Sequence, residues 1–383
     1  NEYAYVGIAG IVDYERFWKH TREAIEAHPL DASLSDVWVL CQMVGNIRAM
    51  ITREEEWFDI GNLDGLQRTR DAHPGTFDVL DKIDEDIYMI DGYVIKYFND
   101  ETKCFNRVLR GRNYLNDVVP EILESAKGLY KYKRVNGDIL SKTITPEKLR
   151  IFLNWIKLNL WRERRTKPST VEKFREFYFE KTKERARQYY ELGFVDEVTH
   201  INGTRVPKCE LLLDMISRYG ILQYGTLTPF HGDLVLDNII DTGYDFVLID
   251  WRQDFCGNIR EGDLYYDLAK FGHSLVMKHS VLVNHQFVCE RQDPNTSAYR
   301  LDLLKSEILI SCLAEFEKWV TANDLSWAKV KALMSIIWIN MAPLHGKKIG
   351  EFLYNYGKYN LFLSLKELTQ EQNSKIGVAS EQT

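Results

Sequence analysis

The sequence lacks the patterns that mark secreted, zinc-knuckle, membrane-spanning or nucleic-acid-binding proteins. Its six cysteines are scattered with no C-x-x-C pair, so neither a disulfide framework nor a zinc site is indicated. There is no secretion signal and no apolar run of about 18 or more residues. The net charge of −7 gives no general attraction for nucleic acid or anionic membranes. These absences predict a cytoplasmic, reduced protein with no nucleic-acid partner and no membrane insertion.

What is present is an ordinary globular composition on a long chain. The 383 residues are 45% hydrophobic and 27% charged, enough to bury two or three cores. The chain begins with Asn rather than Met, so we expect it to be part of a longer product. The sequence leaves the oligomeric state open, including a homo-oligomer.

The most informative stretch is HGDLVLDN at 231–238, followed by FVLID at 246–250. Asp233 and Asn238 lie five residues apart, and Asp250 ends an apolar run that is typical of a buried strand. Phosphoryl transfer from ATP needs a carboxylate to orient the attacking hydroxyl, and oxygen ligands that hold Mg²⁺ against the phosphates. Any one Asp or Asn would more often be a turn or helix cap. The ordered set at these spacings instead predicts a kinase catalytic loop.

The pattern H-G-D-x-x-x-x-N followed by I-D resembles the aminoglycoside phosphotransferase and choline kinase family of protein-kinase-like small-molecule kinases. The resemblance implies an α+β, two-lobe protein-kinase-like fold with a small β-rich lobe and a large helical lobe. It also implies ATP and Mg²⁺ as cofactors. Asp233 would take the proton of the acceptor hydroxyl, and Asn238 and Asp250 would bind Mg²⁺ beside the nucleotide.

A small strand-rich lobe is predicted upstream of this motif. The strand candidates are 76–80, 87–90 and 93–98, and Asp91-Gly92 is a two-residue hairpin signal between the last two. Lys96 on the third strand matches the kinase lysine that pairs with the α/β-phosphates. The plainer alternative is an edge or solvent lysine.

Two departures from the kinase pattern fall in the same lobe. The turn at 81–86 contains no glycine, so a Gly-rich lid is not expected. The next predicted helix, 106–115, carries Arg107, Arg110 and Arg112 but no Glu. The acid that pairs with Lys96 is therefore left open.

Further elements follow the small lobe. Residues 129–137 resemble the family's inter-lobe hinge, and Thr145-Pro146 predicts a helix start, with apolar residues at 149, 152, 156 and 160 on its buried face. A helix of mixed charge is expected over 171–191, and three helices over 299–321, 327–340 and 349–363.

The first seventy residues do not fit a kinase. The W-x-D-I-G motif at 57–61, after a glycine-containing apolar segment and a helix, resembles the closing third of a sugar-phosphate nucleotidyltransferase. In that family the Asp of the motif, here Asp59, helps to hold the catalytic metal. The family's Gly-rich nucleotide loop is absent here, so we expect this segment to be inactive by itself. The alternative is a core Trp57 and a turn Asp59.

The predicted organisation is a partial nucleotidyltransferase-like segment at 1–72, a small lobe at 73–134, a large helical lobe at 135–366 and a disordered polar tail at 367–383. The predicted function is an ATP-dependent kinase that phosphorylates a hydroxyl of a small-molecule acceptor, a sugar or an amino alcohol, ahead of nucleotide activation for surface glycan synthesis. A choline or ethanolamine kinase is the narrower alternative. The competing class is a non-catalytic kinase-like scaffold, motivated by the missing helix Glu and the missing Gly-rich turn.

Overall fold

The computed structural model describes residues 11–27, 36–43, 68, 85–162, 174–218, 225–292 and 297–380. The chain divides into two units, Asn1–Leu80 and Asp81–Thr383. In the first unit, α1 (Tyr14–Ala27) contacts α2 (Asp36–Gln42). The W-x-D-I-G motif with Asp59 and the strand expected at 76–80 lie outside the described residues. The nucleotidyltransferase interpretation of residues 1–72 and the predicted segment boundaries stay predictions.

The second unit begins with a four-stranded antiparallel sheet in the order β1-β2-β4-β3. Its strands are β1 (Glu85–Ile90), β2 (Tyr93–Phe98), β3 (Ile122–Ala126) and β4 (Leu129–Lys133). Asp91 and Gly92 have φ values of 49° and 78°, which a two-residue hairpin turn between right-twisted strands requires. The predicted hairpin is confirmed.

The sheet carries one helix, α3 (Glu101–Asn113), which contacts β2, β3 and β4. It begins five residues before the predicted start at 106, because Asp100 caps it by accepting a hydrogen bond from the Lys103 backbone N–H at 3.0 Å. The segment predicted as a hinge is also shifted. Its first five residues form β4, since they pair with β2 and β3, and only 134–137 link the sheet to the large lobe.

The large lobe is mainly helical. Its helices are α4 (Leu140–Thr143), α5 (Pro146–Asn159), α6 (Lys181–Glu191), α7 (Cys209–Arg218), α8 (Leu264–Val276), α9 (His279–Val283), α10 (Glu307–Ala322), α11 (Trp327–Met341) and α12 (Lys347–Ser380). Single turns of other helix types span Glu176–Glu180 (π), Leu236–Asn238 (3₁₀) and Ala342–Leu344 (3₁₀). The core lies where α11 packs against α8 and α12.

Helix α5 begins as the sequence predicts. The Thr145 hydroxyl accepts a hydrogen bond from the Lys148 N–H at 3.2 Å, and Pro146 occupies the first helical position. The predicted apolar face at 149, 152, 156 and 160 is buried. Burial of these side chains against α10 stabilises the helix.

Short strands complete the large lobe. A three-stranded sheet has the order β10 (Phe246–Leu248), β9 (Ile239–Asp241) and β5 (Asp138–Ile139). A two-stranded sheet pairs β8 (Leu227–Thr228) with β11 (Gly262–Asp263). A further sheet orders β12 (Phe287–Arg291), β13 (Ala298–Leu303), β6 (Thr199–Ile201) and β7 (Thr204–Val206). The helix predicted from 299 is therefore wrong at its start. Buried Leu301 and Leu303 alternate with exposed Asp302, which is the period of a strand.

The backbone of α12 continues to Ser380 and so includes most of the segment predicted as a disordered tail. Within the ranges given above, no helix has the length and apolar character needed to cross a membrane. The predicted α+β class is confirmed, with a small sheet-rich lobe followed by a larger helical one.

Candidate active site

The two halves of the H-G-D…N…D pattern are hydrogen-bonded to each other. Strands β9 and β10 pair antiparallel, and the Ile249 N–H donates to the carbonyl oxygen of Asn238 at 2.9 Å. The Asn238 side-chain amide donates to the carbonyl oxygen of Asp233, also at 2.9 Å. Asp250 follows directly with a φ of 60°, a left-handed conformation that Asp tolerates better than most residues. Asp233, Asn238 and Asp250 therefore belong to one ordered pair of loops.

His231 holds the first of these loops in place. Its Nδ1 accepts from the Asp233 backbone N–H at 3.2 Å, so the ring proton lies on Nε2, which donates to the carbonyl oxygen of Ile249 at 2.9 Å. Burial lowers the pKa of His231 to about 4, so the neutral form is stable. One ring nitrogen thus bonds the loop of Asp233 and the other bonds the chain just before Asp250. The His231 ring therefore has a structural role in positioning the loop.

Asp267 on α8 supports the same loop from the large lobe. Its carboxylate accepts from the backbone N–H groups of His231 and Gly232 at 2.8 and 2.7 Å, and from the Trp161 indole at 3.2 Å. Burial raises the pKa of this carboxyl to about 6, although all three donors favour its ionised form. Asp267 is a structural residue of the loop.

The state of His231 gives a pH prediction. Its folded pKa of about 4 lies below the ordinary value of 6.5, so the unfolded chain takes up a proton first as pH falls. His231 therefore stabilises the folded protein above pH 6.5. This contribution to the free energy of unfolding falls by about 1.4 kcal/mol per pH unit as the pH drops toward 4. Asp267 opposes it, because its raised folded pKa lets the folded chain take up a proton first. We therefore expect NMR of the imidazole, assigned with His231→Asn, to show no protonation down to pH 5; titration near 6.5 would contradict the geometry.

Four charged side chains, one of them Asp250, connect the small lobe to the loop after β10. Lys96 Nζ lies 2.8 Å from Asp250 Oδ1 and 3.3 Å from Glu85 Oε1. Arg107 Nη1 lies 2.7 Å from the same Asp250 oxygen and 3.5 Å from the same Glu85 oxygen. The Lys96 and Glu85 side chains are only 3% and 1% exposed. Two cations and two carboxylates thus form one buried network.

The charges of this network sustain each other. Burial acts to lower the pKa of Lys96, but the attraction of Asp250, with smaller effects of neighbouring tyrosines and Glu85, holds it above its ordinary value. The pKa of Arg107 is raised against burial in the same way, mainly by Asp250. Both side chains are therefore fixed cations, and Lys96 is oriented toward the loop that carries Asp250.

The network also identifies the acid that the sequence left open. Glu85 on β1, rather than a residue of the following helix, pairs with Lys96. The helix supplies Arg107 instead. One turn further on, Arg110 donates to the carbonyl oxygens of Phe230, Arg252 and, at 2.9 Å, Ile259. Helix α3 is thereby bound to both loops of the site.

We expect Glu85→Gln to lower the free energy of unfolding by about 3 kcal/mol, because Lys96 and Arg107 would keep a single buried carboxylate between them. Asp86→Asn is the matched control, since this neighbour on β1 is exposed and lies on the other face of the strand. Urea unfolding of both variants measures the difference. Equal stability of Glu85→Gln and Asp86→Asn would show that the network does not need the second carboxylate.

Asp233 faces the large lobe. Its carboxylate lies 2.8 Å from Lys270 Nζ on α8 and its side chain is 35% exposed. The attraction of Asp233 raises the pKa of Lys270 although burial acts to lower it. The sequence analysis named neither Lys270 nor Glu85 as a site residue, and it noted Arg107 without giving it a role.

Comparisons with known proteins give a distant likeness of the backbone. No protein-family model and no curated protein matches the chain. Among solved structures it is similar to an ethanolamine kinase of Plasmodium vivax (14% identity, 93% of this chain and 95% of the other, TM-score 0.43). It is also similar to a glucosamine kinase (12%, 77% and 79%, 0.41) and to a choline/ethanolamine kinase family protein of Mesorhizobium loti (14%, 80% and 98%, 0.38). Identities and TM-scores this low describe a distant likeness of the backbone and assign neither a family nor an activity to this chain.

Proposed function

We propose that this chain is an ATP-dependent kinase that transfers the γ-phosphoryl group to a hydroxyl of a small metabolite. One observation carries the proposal: Lys96 contacts Asp250 at 2.8 Å on a loop hydrogen-bonded to the loop of Asp233 and Asn238. These are the residue types that phosphoryl transfer uses for positioning and for charge stabilisation. Their arrangement supports the assignment independently of any relative.

Each residue has one task in this proposal. Lys96 binds the α/β-phosphates, held in direction by Glu85. Asp233 accepts the hydrogen bond of the acceptor hydroxyl and takes its proton while the new O–P bond forms and the bond between the γ-phosphorus and the ADP oxygen breaks. Positioning and charge stabilisation supply most of the rate enhancement.

Asn238 and Asp250 fit a magnesium ion. Among the described residues there is no group of three or more His, Cys, Asp or Glu side chains that could hold a metal. Magnesium in kinases does not need such a group, because it is bound by one or two protein oxygens together with phosphates and water. Asn238 uses its amide nitrogen on Asp233, which leaves its side-chain oxygen as a metal donor, and the hydrogen bond from Ile249 N–H to the Asn238 carbonyl oxygen ties it to the loop of Asp250. The ion, when bound, would neutralise charge on the phosphates.

The acceptor belongs to the class that the sequence suggests, a sugar or an amino alcohol. The resemblance of residues 1–72 to the closing third of a sugar-phosphate nucleotidyltransferase supports a product that is next activated as a nucleotide-diphospho compound. Such products are precursors of surface glycans. In this interpretation, Asp59 would be a metal ligand of the nucleotidyltransferase-like segment.

A non-catalytic scaffold is the second candidate, and one observation favours it. Asp250 Oδ1 is already engaged by two cations, Lys96 and Arg107, and α3 offers Arg107 where kinases carry a glutamate. Such a site could be locked in an ion-paired state.

MgATP binding and hydrolysis separate the two candidates. A kinase should be stabilised by MgATP in a thermal unfolding assay, with a shift that grows with the logarithm of ATP concentration. It should also form ADP when supplied with a mixture of sugars and amino alcohols. No thermal shift with millimolar MgATP would contradict the kinase and favour the scaffold.

A further inference from the structure

Three cations of the large lobe, Lys181, Arg252 and Lys270, surround the Tyr266 side chain, and Asp233 acts on the same ring. Lys270 contacts the Asp233 carboxylate at 2.8 Å. Arg252 runs beside the neighbouring Gly232, since a Cβ added to this glycine would lie 2.6 Å from the Arg252 Cβ. Lys181, the first residue of α6, completes the group. We refer to Lys181, Arg252 and Lys270 as the cation cluster.

Two aromatic rings join the members of the cation cluster. Lys181 Nζ lies 4.8 Å and Arg252 Cζ 5.1 Å from the centre of the Phe177 ring, so both cations flank one ring. The Phe177 ring packs edge-on against Tyr266 at 4.8 Å. Tyr266 lies one turn before Lys270 on α8. The three cations therefore lie around Phe177 and Tyr266, and Lys270 connects this group to Asp233.

The acidic residues near the cluster, Glu176 and Asp254, form no ion pair with its members. Asp233 neutralises Lys270, and the Asp254 carboxylate accepts a hydrogen bond from Gly257 N–H within its own loop. Across the described ranges, no ion pair includes Lys181 or Arg252. Among the described residues, Lys181 and Arg252 are thus two partly buried cations without a carboxylate at ion-pair distance, and the Arg252 Nε donates to the backbone carbonyl oxygen of Asp254 at 3.0 Å.

The titration of neighbouring groups agrees with an excess of positive charge. Burial lowers the pKa of Lys181; the attraction of Tyr266 opposes this effect, and repulsion from Arg252, Arg185 and Lys270 adds to it. Burial acts to raise the pKa of Tyr266, yet this pKa lies below its ordinary value because the cluster favours the phenolate. A bound anion would relieve the repulsion.

We infer that the acceptor carries an anionic group, a phosphate or a carboxylate, in addition to the hydroxyl that is phosphorylated. Lys181 and Arg252 bind this group while Lys270 stays with Asp233. The inference rests on the proposed kinase function and narrows it to acidic sugars, sugar phosphates and similar hydroxylated anions. Cationic acceptors such as choline or an aminoglycoside would be repelled by the same cluster.

The γ-phosphate of ATP is the other anion that could reach these cations. Lys96, Glu85, Arg107 and Asp250 form a separate network at the small-lobe side, which is suited to the nucleotide phosphates. In the cation cluster, Lys181 and Lys270 lie on helices α6 and α8 of the large lobe, while Arg252 shares the loop after β10 with Asp250. The position of Lys181 and Lys270, away from the Lys96 network, favours acceptor recognition by the cluster.

The test compares ligands that differ in charge. Glucose, glucuronate, glucose 6-phosphate, glucosamine and choline are titrated into the MgADP-bound protein by calorimetry, and assayed for ADP formation with MgATP. We expect the two anions to bind at least tenfold more tightly than glucose, and the cations to bind most weakly. Equal or tighter binding of glucose, glucosamine or choline would overturn the inference, as would no binding of either anion.

Lys181→Met tests the cluster, because it removes the charge and keeps an apolar stem on Phe177. Lys183→Met is the matched control: Lys183 is exposed on the same helix and lies 4.3 Å from the Phe179 ring. Lys181→Met should weaken anion binding at least tenfold and raise KM for the anionic acceptor, whereas Lys183→Met should not. If Lys181→Met instead weakens a non-hydrolysable ATP analogue but not ADP, the cluster binds the γ-phosphate and the inference is wrong. Loss of MgADP binding by the unmodified protein would contradict the kinase function itself.

Discussion

Asparagine in place of Asp233 is expected to lower kcat by about 10²- to 10⁴-fold, the range that a positioned general base contributes. The protein should remain folded, because the Asp233 side chain is 35% exposed and its backbone contacts to His231 and Asn238 do not need the carboxylate. MgATP should bind no more weakly, since removal of a negative charge leaves Lys270 unneutralised and attractive to phosphate. The measurements are steady-state kinetics on the best acceptor and the Kd of MgATP.

Asp237→Asn is the matched control for this variant. Asp237 lies on the same loop, next to Asn238, but its side chain is exposed. It should keep most of the wild-type kcat. Near wild-type turnover by Asp233→Asn would show that another group takes the proton, and a large loss in both variants would indicate a general disturbance of the loop.

Much of the local structure could be predicted because its causes are local. The Asp91-Gly92 turn, the Thr145 cap and the strand before Asp250 each depend on a few neighbouring residues. The hydrogen bonds from the His231 and Gly232 backbone to Asp267 instead join segments about 35 positions apart. The catalytic and ligand roles of Lys96, Asp233, Asn238 and Asp250 stay predictions until activity is measured.

The partner of Lys96 was missed although the sequence contained a signal for it. A two-residue turn at Asp91-Gly92 fixes the register of the hairpin and places Ile87 opposite Lys96. Glu85 then lies on the same face, diagonally across from Lys96, at a distance that long side chains can span. The kinase pattern predicts this glutamate on the following helix, whereas here it lies on β1.

Other features depend on contacts between distant segments. The parallel pairing of β13 with β6 joins residues about a hundred positions apart, and no local pattern announces it. The cation cluster likewise combines α6, the loop after β10 and α8. Basic residues at 181, 252 and 270 have no special pattern in the sequence, and they become informative only when the fold brings them together around Tyr266.

The second large effect concerns Asp250. Asp250→Asn removes the charge that two buried cations share, since its Oδ1 lies 2.8 Å from Lys96 and 2.7 Å from Arg107. Loss of one member of a buried ion pair costs about 3–5 kcal/mol, and we expect a loss of this order in the free energy of unfolding. The substitution should also weaken the apparent affinity for Mg²⁺ at a fixed concentration of ATP analogue, because the carboxylate is the charged member of the proposed metal site.

A second substitution separates these two effects. Arg107→Met removes one of the two cations, so the double variant Asp250→Asn with Arg107→Met again balances Lys96 against Glu85. We expect the double variant to recover much of the lost stability, giving a clear interaction energy in the mutant cycle. It should not recover Mg²⁺ affinity, because the charged oxygen ligand is still missing. If Mg²⁺ affinity returns together with stability, Asp250 acts through the ion network alone and the metal assignment is wrong; if neither single nor double variant changes Mg²⁺ affinity, the metal is held elsewhere.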